Sequence, residues 1–211
     1  MIFIAAVAGY FFSKLANFET PTISALLVLL MMVGLGLVGF VDDYIKVHKQ
    51  RSLGLTGWQK ILGQGIVAVS FAVLALQFKN EAGLTPASTK ISIFRDTNFD
   101  LMAWGAVTGV ILFVIWIYLL VAGTSNGVNI ADGLDGLATG SSIMSIGAFA
   151  IIGFWQFNQS CGTILENVAA CYSTRDPLDL AVVASAIVGA LAGFLWWNTS
   201  PAQIFMGDTG S

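Results

Sequence analysis

Residues 23–41 read I-S-A-L-L-V-L-L-M-M-V-G-L-G-L-V-G-F-V and contain no charged side chain. A bilayer core needs about 20 consecutive apolar residues for one helical crossing, so this stretch predicts a membrane-spanning helix. The rest of the chain is similar, because 56% of the 211 residues are hydrophobic and only 10% are charged. Soluble domains carry about 25% charged residues. The composition therefore predicts an integral membrane protein.

Five further stretches are comparably apolar, and each is rich in Leu, Ile, Val, Ala, Gly and Phe. The spans of a membrane β-barrel would instead be segments of about ten residues with alternating hydrophobicity. We therefore predict an all-α fold, a polytopic transmembrane helix bundle that forms one catalytic domain over residues 1–211. The six predicted spans are residues 1–16, 23–41, 59–78, 101–122, 134–157 and 178–197.

Five of the twelve acidic side chains fall in three short polar patches between these spans. The patches are V-D-D-Y with Asp42 and Asp43, N-I-A-D-G-L-D-G with Asp132 and Asp135, and F-M-G-D-T-G-S with Asp208. Each helix crosses the membrane once, so the second, fourth and sixth connections, which hold the patches, share one face. Ionisable groups at a membrane are costly, and their clustering predicts a functional site on that face.

The basic residues are nearly balanced between the two sides of the membrane. The acidic side has the basic residues Lys46, Lys49, Arg51 and Lys60, and the other side has Lys14, Lys79, Lys90, Arg95 and Arg175. The first group lies in one short segment, which favours the cytoplasm by the positive-inside rule. Cys161 and Cys171 lie in one loop of the opposite side, where a disulfide would require an oxidising compartment. Whether they pair is open at this stage, and a cytoplasmic acidic face is favoured.

The first patch suits acid–base chemistry beside a phosphate. Adjacent residues of a helix point about 100° apart, so one of Asp42 and Asp43 can face a site while the other orients a second group. Close carboxylates repel one another's negative charge, which favours proton uptake. The predicted 42–60 loop supplies cations without acidic partners, and its Lys46 and Lys49 could hold phosphate. Two solvated residues at a membrane boundary are the alternative interpretation of the aspartates.

The second patch places an oxygen-bearing side chain at every third position, namely Asn129, Asp132 and Asp135. If the segment opens the fifth helix, these side chains share one helix face. Capping of that helix is the alternative, because aspartates are preferred at helix N-termini. Capping explains one aspartate but not three residues in a row along one face, so we predict a ligand site.

The third patch combines Asp208 with hydroxyls and glycines. Mg²⁺ prefers oxygen ligands and usually binds through one or two carboxylates together with substrate phosphates. Pro201 is predicted to stop the sixth helix, which leaves Asn198 at its end, and Phe205 could stack on a nucleotide base. An ordinary aspartate turn is the alternative interpretation.

Three motifs in this order give the chain a specific resemblance. They are G-F-V-D-D-Y-I-K-V, N-G-V-N-I-A-D-G-L-D-G-L-A-T-G and W-x-N-T-S-P-A-Q-I-F-M-G-D-T-G-S. Together they resemble the bacterial polyprenyl-phosphate N-acetylhexosamine-1-phosphate transferases, in the branch that takes UDP-N-acetylmuramoyl-pentapeptide. The resemblance covers essentially the whole chain. It implies the second to seventh of ten spans, a chain incomplete at both ends, and a multi-pass protein of the plasma membrane with a cytoplasmic active site.

The resemblance also implies a reaction, a cofactor and roles for particular residues. The expected enzyme is a Mg²⁺-dependent phosphotransferase that moves phospho-N-acetylmuramoyl-pentapeptide from its UDP-linked precursor to undecaprenyl phosphate and releases UMP, the first membrane step of peptidoglycan synthesis. Its catalytic residues match Asp42, Asp43 and Asp208. Its magnesium ligand matches Asp208. Asn129 matches a residue that lines the nucleotide site, and we predict it as a second metal ligand. The implied substrate-binding residues are Asp132, Asp135, Asn198, Phe205, Gly207 and Lys46.

Two rival functions are weighed against this expectation. A sister branch of the family transfers N-acetylglucosamine-1-phosphate to the same lipid, although the third motif favours the muramoyl branch. An ion or proton transporter would carry acidic residues mid-helix near the bilayer midplane, whereas these lie at predicted helix ends. The implied partners are the two substrates, membrane lipid and, as one option, a second copy of the chain in a homodimer. Nucleic acid is not expected, because the chain has no basic tract.

Overall fold

The computed structural model describes residues 1–50, 54–92, 96–161, 171 and 174–210. Arg51, Arg95 and Ser211, which entered the sequence analysis, lie outside these residues. The helices, in chain order, are α1 (Ile2–Asn17), α2 (Ile23–His48), α3 (Gly57–Gln77), α4 (Ala106–Ala131), α5 (Leu137–Asn158), α6 (Pro177–Asn198) and α7 (Gly207–Gly210). Helices α2 to α6 are long and apolar enough to cross a membrane, and α1 is a shorter apolar helix. The predicted all-α transmembrane bundle is therefore confirmed.

A small hairpin interrupts the helical pattern between α3 and α4. Its strands are β1 (Lys90–Ser92) and β2 (Asp96–Asp100), which pair antiparallel with Lys90 opposite Asp100. A 3₁₀ turn over Leu101–Trp104 follows. The predicted fourth span therefore begins five residues late, because the Asp100 carboxylate accepts the Met102 amide and closes this turn before the helix starts.

Small residues lie where the helices pack, and large apolar residues face outward. Helix α6 contacts α1, α2 and α5, while α3 packs between α2 and α4. Ala25 and Val183 are buried with Tyr10 between α1, α2 and α6, and Ala72 is buried against Phe113 between α3 and α4. Small side chains let membrane helices approach closely, and outward-facing apolar side chains suit lipid.

Two helices continue past the apolar stretches that predicted them. Helix α2 runs to His48, so Asp42, Asp43 and Lys46 lie on its last turns and not in a loop. Helix α4 ends at Ala131, which places Asn129 in its last turn. Hydrophobicity marks where a helix enters the membrane, but polar residues outside the membrane still form helix if no glycine or proline stops them.

The second acidic patch does not open the fifth helix, so the prediction of a shared helix face is wrong. Asp132 is the first residue after α4, and α5 begins at Leu137. Gly136 separates them with φ of 72°, a conformation that glycine adopts without strain. Helix α5 has no side-chain cap, so capping does not explain these aspartates either.

A distal ionic group, made of Lys14, Asp179, Tyr10 and Thr22, joins α1, α2 and α6 at the end of the bundle opposite the acidic patches. Asp179 is buried and lies 2.6 Å from the Lys14 ammonium. Its other oxygen accepts hydrogen bonds from the Tyr10 hydroxyl at 2.9 Å and from the Thr22 hydroxyl at 2.5 Å. One Asp179 oxygen thus binds two hydroxyls, and the other faces the Lys14 ammonium, which also pairs with Glu19 at 2.9 Å.

The two cysteines also lie at this distal end. Cys161 follows α5 and forms a disulfide with Cys171, at a Cα–Cα distance of 4.8 Å. The pairing that the sequence left open is therefore present. The three acidic patches lie at the opposite end, where α2, α4 and α6 finish, as the alternation of spans predicted.

Candidate metal and phosphate site

Three carboxylates from distant parts of the sequence meet at one point. Asp42 and Asp43 come from the end of α2, and Asp208 comes from α7. One oxygen of each lies within 4.8 Å of the others. Within the described ranges, no other group of three histidine, cysteine or acidic residues converges in this way. We call these three residues the acidic cluster.

Two lysines neutralise part of the charge of the acidic cluster. The Lys46 ammonium lies 2.5 Å from Asp42 and 3.8 Å from Asp43, and it also pairs with Asp208. The helix makes this possible, because residues three and four apart share one face. Lys60, near the start of α3, lies 2.6 Å from the other Asp208 oxygen. The prediction of lysines without acidic partners is therefore wrong, since α7 folds back onto α2.

The surroundings of Asp208 stabilise its ionised form. Burial acts to raise the pKa of this carboxyl, but hydrogen bonds with Asp42, Lys46 and Lys60 outweigh burial and hold the pKa well below its usual range. A carboxylate favoured in this way is charged at neutral pH and available to a cation.

Asp42 and Asp43 differ in access to solvent. Asp42 is only 3% exposed, and its Oδ1 accepts the Leu55 amide at 2.6 Å. Gly54 permits this approach, since a Cβ there would lie 2.5 Å from the same oxygen. The Asp43 side chain is 33% exposed. Asp43 is therefore the more accessible carboxylate of the pair.

The turn that carries Asp208 is bound on both sides by carboxylates. Asp132 accepts the Gly207 amide at 2.8 Å and the Met206 amide at 3.2 Å. Asp43 accepts the Thr209 amide at 2.9 Å and the Thr209 hydroxyl at 2.5 Å. The three acidic patches therefore meet through the main chain of residues 206–209, and Asp132 contacts this turn directly.

The remaining members of the second patch lie along the same tail. The Asn129 amide nitrogen donates to Asp208, so this residue contacts the predicted metal ligand. Asp135 accepts the Ala202 amide at 3.2 Å. The metal-binding role of Asn129 and the substrate-binding roles of Asp132 and Asp135 stay predictions.

Asn198 and Phe205 have contrasting surroundings. Asn198 is buried, accepts a hydrogen bond from Thr139 at 2.6 Å and donates one to the Ile204 carbonyl at 2.9 Å. These bonds hold the tail against the end of α6. Phe205 is half-exposed, so its ring is accessible to a planar ligand. Substrate binding by Asn198, Phe205, Gly207 and Lys46 stays a prediction.

Two residues at the site, Lys60 and Thr209, are not predicted from the sequence. A lysine at the start of an apolar span on the acidic side is a usable signal for Lys60. Thr209 is one of several hydroxyls in the third patch. No sequence pattern indicated that its hydroxyl would bind Asp43, because 166 residues separate the two.

The donor set suits a small divalent cation. Ligands on opposite sides of Mg²⁺, bound at about 2.1 Å, lie about 4.2 Å apart. The 4.8 Å spread of the acidic cluster is only slightly wider. The Lys46 ammonium already lies among these oxygens as a monovalent cation. The cluster could therefore bind a metal ion after Lys46 moves aside and the carboxylates close slightly.

Comparison with known proteins identifies the family of the chain. Residues 25–211 match the family described as glycosyl transferase family 4. The chain is 62% identical over its whole length to a phospho-N-acetylmuramoyl-pentapeptide-transferase of Clavibacter michiganensis subsp. michiganensis. Proteins of the same name from Streptomyces avermitilis and Beutenbergia cavernae are 58% and 54% identical, over 99% and 100% of the chain. The chain spans 59%, 57% and 59% of these three relatives, in the order named. The resemblance inferred from the motifs is thereby confirmed.

Proposed function

The chain belongs to glycosyl transferase family 4, and on that premise we propose that the full-length protein is a phospho-N-acetylmuramoyl-pentapeptide transferase. Its substrates would be UDP-N-acetylmuramoyl-pentapeptide and undecaprenyl phosphate. An oxygen of the lipid phosphate would attack the β-phosphorus, the bond to the UMP oxygen would break, and UMP would leave. The lipid-linked diphosphate sugar would remain in the membrane.

One observation carries the proposal: the acidic cluster lies at the end of a membrane helix with two lysines beside it. Phosphoryl transfer requires mainly positioning and neutralisation of negative charge. Mg²⁺, held by Asp208 with Asn129 and the neighbouring carboxylates, would supply charge neutralisation at the diphosphate. The carboxylates suit that ion, and the lysines suit the phosphates.

The lysines and the aspartates would exchange partners when substrate binds. Lys46 and Lys60 both pair with Asp208 here. When a cation binds the carboxylates, phosphate oxygens of the substrates would pair with these two ammonium groups instead. Asp43 is the accessible carboxylate and would accept a proton from the lipid phosphate. Buried Asp42 would orient Lys46.

The nucleotide would bind along the tail between α6 and α7. The half-exposed Phe205 ring would stack on the uracil base. Asp132, Asp135, Asn198 and Gly207 would shape this region, chiefly by holding residues 199–207 in place.

An apolar groove supports a lipid acceptor. The groove lies between α3 and α4 and has a volume of about 500 Å³. Trp58 and Ile61 line its end, on either side of Lys60, and Tyr118 closes it from α4. The groove begins at the first turn of α3, which also carries Lys60 on another face of the helix. A polyprenyl chain could lie there with its phosphate at the lysines.

Localisation follows from the substrates. A soluble UDP-sugar and a membrane lipid can react only at a membrane surface, and the acidic cluster lies at the ends of apolar helices. We place the protein in the bacterial plasma membrane with the cluster facing the cytoplasm. The Cys161–Cys171 disulfide lies at the opposite end, which suits an oxidising exterior.

The test is product analysis with a form extended to the full length of the relatives, here called the full-length form. The purified protein is offered undecaprenyl phosphate with UDP-N-acetylmuramoyl-pentapeptide or with UDP-N-acetylglucosamine, and products are identified by mass spectrometry. We expect UMP and a lipid-linked muramoyl pentapeptide from the first mixture only. Product from the second mixture alone would indicate the sister activity instead.

A further inference from the structure

The acidic cluster depends on the turn that carries Asp208. Asp208 is the second residue of α7, and the neighbouring main chain contacts the long helices on both sides. These contacts fix the backbone from which the Asp208 carboxylate extends.

Those contacts are concentrated on the main chain beside Asp208. Asp132 binds the amides of Met206 and Gly207 on one side. Asp43 binds the amide and the hydroxyl of Thr209 on the other side, and both bonds go to the same oxygen, Oδ2. Hydrogen bonds to a charged group are the stronger kind, so each side of the turn is firmly held.

The turn and α2 are in direct steric contact. A Cβ atom at Gly39 would overlap the Asp208 main-chain carbonyl, so α2 and α7 touch through their backbones. Gly207 has φ of 65°, and a Cβ there would lie 3.2 Å from Asp43 Oδ2. The two glycines let Asp43 reach across and bind Thr209.

We propose that Thr209 is a positioning residue of the metal and phosphate site: its hydroxyl and amide, both bound to Asp43 Oδ2, set the direction of the neighbouring Asp208 carboxylate and leave Asp43 one oxygen for the site. This rests on the proposed function and deepens it. Asp43 then has two separate uses, since Oδ2 holds the turn while Oδ1 lies toward Lys46.

The test measures metal binding and does not require turnover. Mn²⁺ alone is titrated into the full-length form, and free Mn²⁺ is counted by electron paramagnetic resonance. Thr209→Val removes the hydroxyl at nearly constant volume, and we expect its Mn²⁺ dissociation constant to rise about tenfold, as for other residues that orient a ligand. Thr209→Ser restores a hydroxyl and should recover most of the affinity.

A matched control comes from the same tail. Thr199 is an exposed threonine whose hydroxyl contacts only its own helix end, at the Trp196 carbonyl. Thr199→Val should leave Mn²⁺ affinity unchanged. If Thr209→Val does not fold, Thr209→Ala removes the same hydroxyl without adding an apolar branch.

Three outcomes would overturn the inference. In the first, Thr209→Val binds Mn²⁺ as tightly as the unaltered protein. In the second, Thr209→Val and Thr209→Ser lose Mn²⁺ affinity equally. In the third, the unaltered protein does not bind Mn²⁺. The proposed function fails separately, through the absence of lipid-linked product. A protein that makes product while Thr209→Val binds Mn²⁺ normally would therefore disprove this inference alone.

Discussion

The two ends of α2 each bury aspartate beside lysine, about 30 Å apart along the helix, and they do so differently. At the distal end Asp179 has the Lys14 ammonium and hydroxyl donors for its own oxygens. At the other end Lys46 pairs with both Asp42 and Asp208, and Lys60 also pairs with Asp208. The Lys14 ammonium is shared as well, between Asp179 and the exposed Glu19. The difference is therefore convergence, because among the described residues three acidic side chains meet only at the end with Lys46.

That difference separates a structural ion pair from a site prepared for a ligand. Removing the Lys14 ammonium would leave one Asp179 oxygen without its cation, while the other oxygen would keep the Tyr10 and Thr22 hydroxyls. Replacing the Lys46 ammonium would leave three convergent carboxylates, which favour a cation of higher charge. Convergence of carboxylates, more than burial or a shared ammonium, points to function in this protein.

Substitution of Asp208 is the strongest test of this comparison. In the full-length form, Asp208→Asn should lower turnover about 10³-fold, because it removes a charge that faces the reacting phosphates. Folding should be affected much less than turnover, although the lowered pKa of Asp208 means that its charge also stabilises the fold. Turnover is measured by UMP release and folding by thermal unfolding in detergent. Near-normal turnover at limiting Mg²⁺ would contradict the metal role.

At the distal end, Asp179→Asn should have the opposite result. We expect the free energy of unfolding to fall by about 3 kcal/mol, because the buried Lys14 charge loses its nearest partner. Turnover per folded molecule should stay unchanged. Unfolding is followed by titration with SDS in mixed micelles. As a control, Asp179→Leu combined with Lys14→Met should recover stability relative to Asp179→Asn, and loss of turnover in folded molecules would show that the two ends are coupled.

Two lysines, one near the start of α3 and one just beyond its end, provide a further test of the comparison. Lys60→Gln should lower turnover of the full-length form about 10–100-fold, because Asp208 loses one of its two ammonium partners. Lys60→Arg keeps the charge and should retain more activity. Lys79 is exposed just beyond the distal end of α3, and Lys79→Gln is the matched control. Equal effects of Lys60→Gln and Lys79→Gln on UMP release would count against the assignment of Lys60.

The smallest expected effect concerns a single hydroxyl at the distal end. Ser24 is buried and donates to Asp176 at 2.6 Å, so Ser24→Ala should lower the free energy of unfolding by about 1 kcal/mol. Ser70 is exposed and donates only to the Ile66 carbonyl of its own helix. Ser70→Ala should therefore change SDS unfolding much less, and equal losses would mean that the Ser24 bond adds no stability.

Much of the architecture could be predicted because hydrophobicity is a local property. The energy of placing a segment in a membrane is a sum over its own residues, so residues 23–41 or 178–197 identify a span without reference to the remainder. The alternation of crossings then put Asp42 and Asp208 on one side. Family motifs added the chemistry, since they mark the same residues that the structure brings together.

The limits of the helices were harder to predict from the same signal. The apolar stretch ends at Val41, yet α2 continues for seven residues and places Lys46 one turn beyond Asp42. No glycine or proline stops the helix there. By contrast, Gly136 delays α5, which changed Asp132 from an expected member of a helix face into a residue that binds the 206–207 main chain.

By itself, the sequence determined the class of fold, the helices α2 to α6 that are long enough to cross a membrane, and the grouping of the acidic patches at one end of the bundle. Only the tertiary structure decided which carboxylates share Lys46, that Lys60 pairs with Asp208, and that Asp43 holds Thr209. The reason is that the partners of Asp208 and Thr209 lie 148 to 166 residues away in the sequence. Only the contacts of Lys46 with Asp42 and Asp43 lie within one helix. Such contacts depend on how whole helices pack, and no local sequence pattern predicts them.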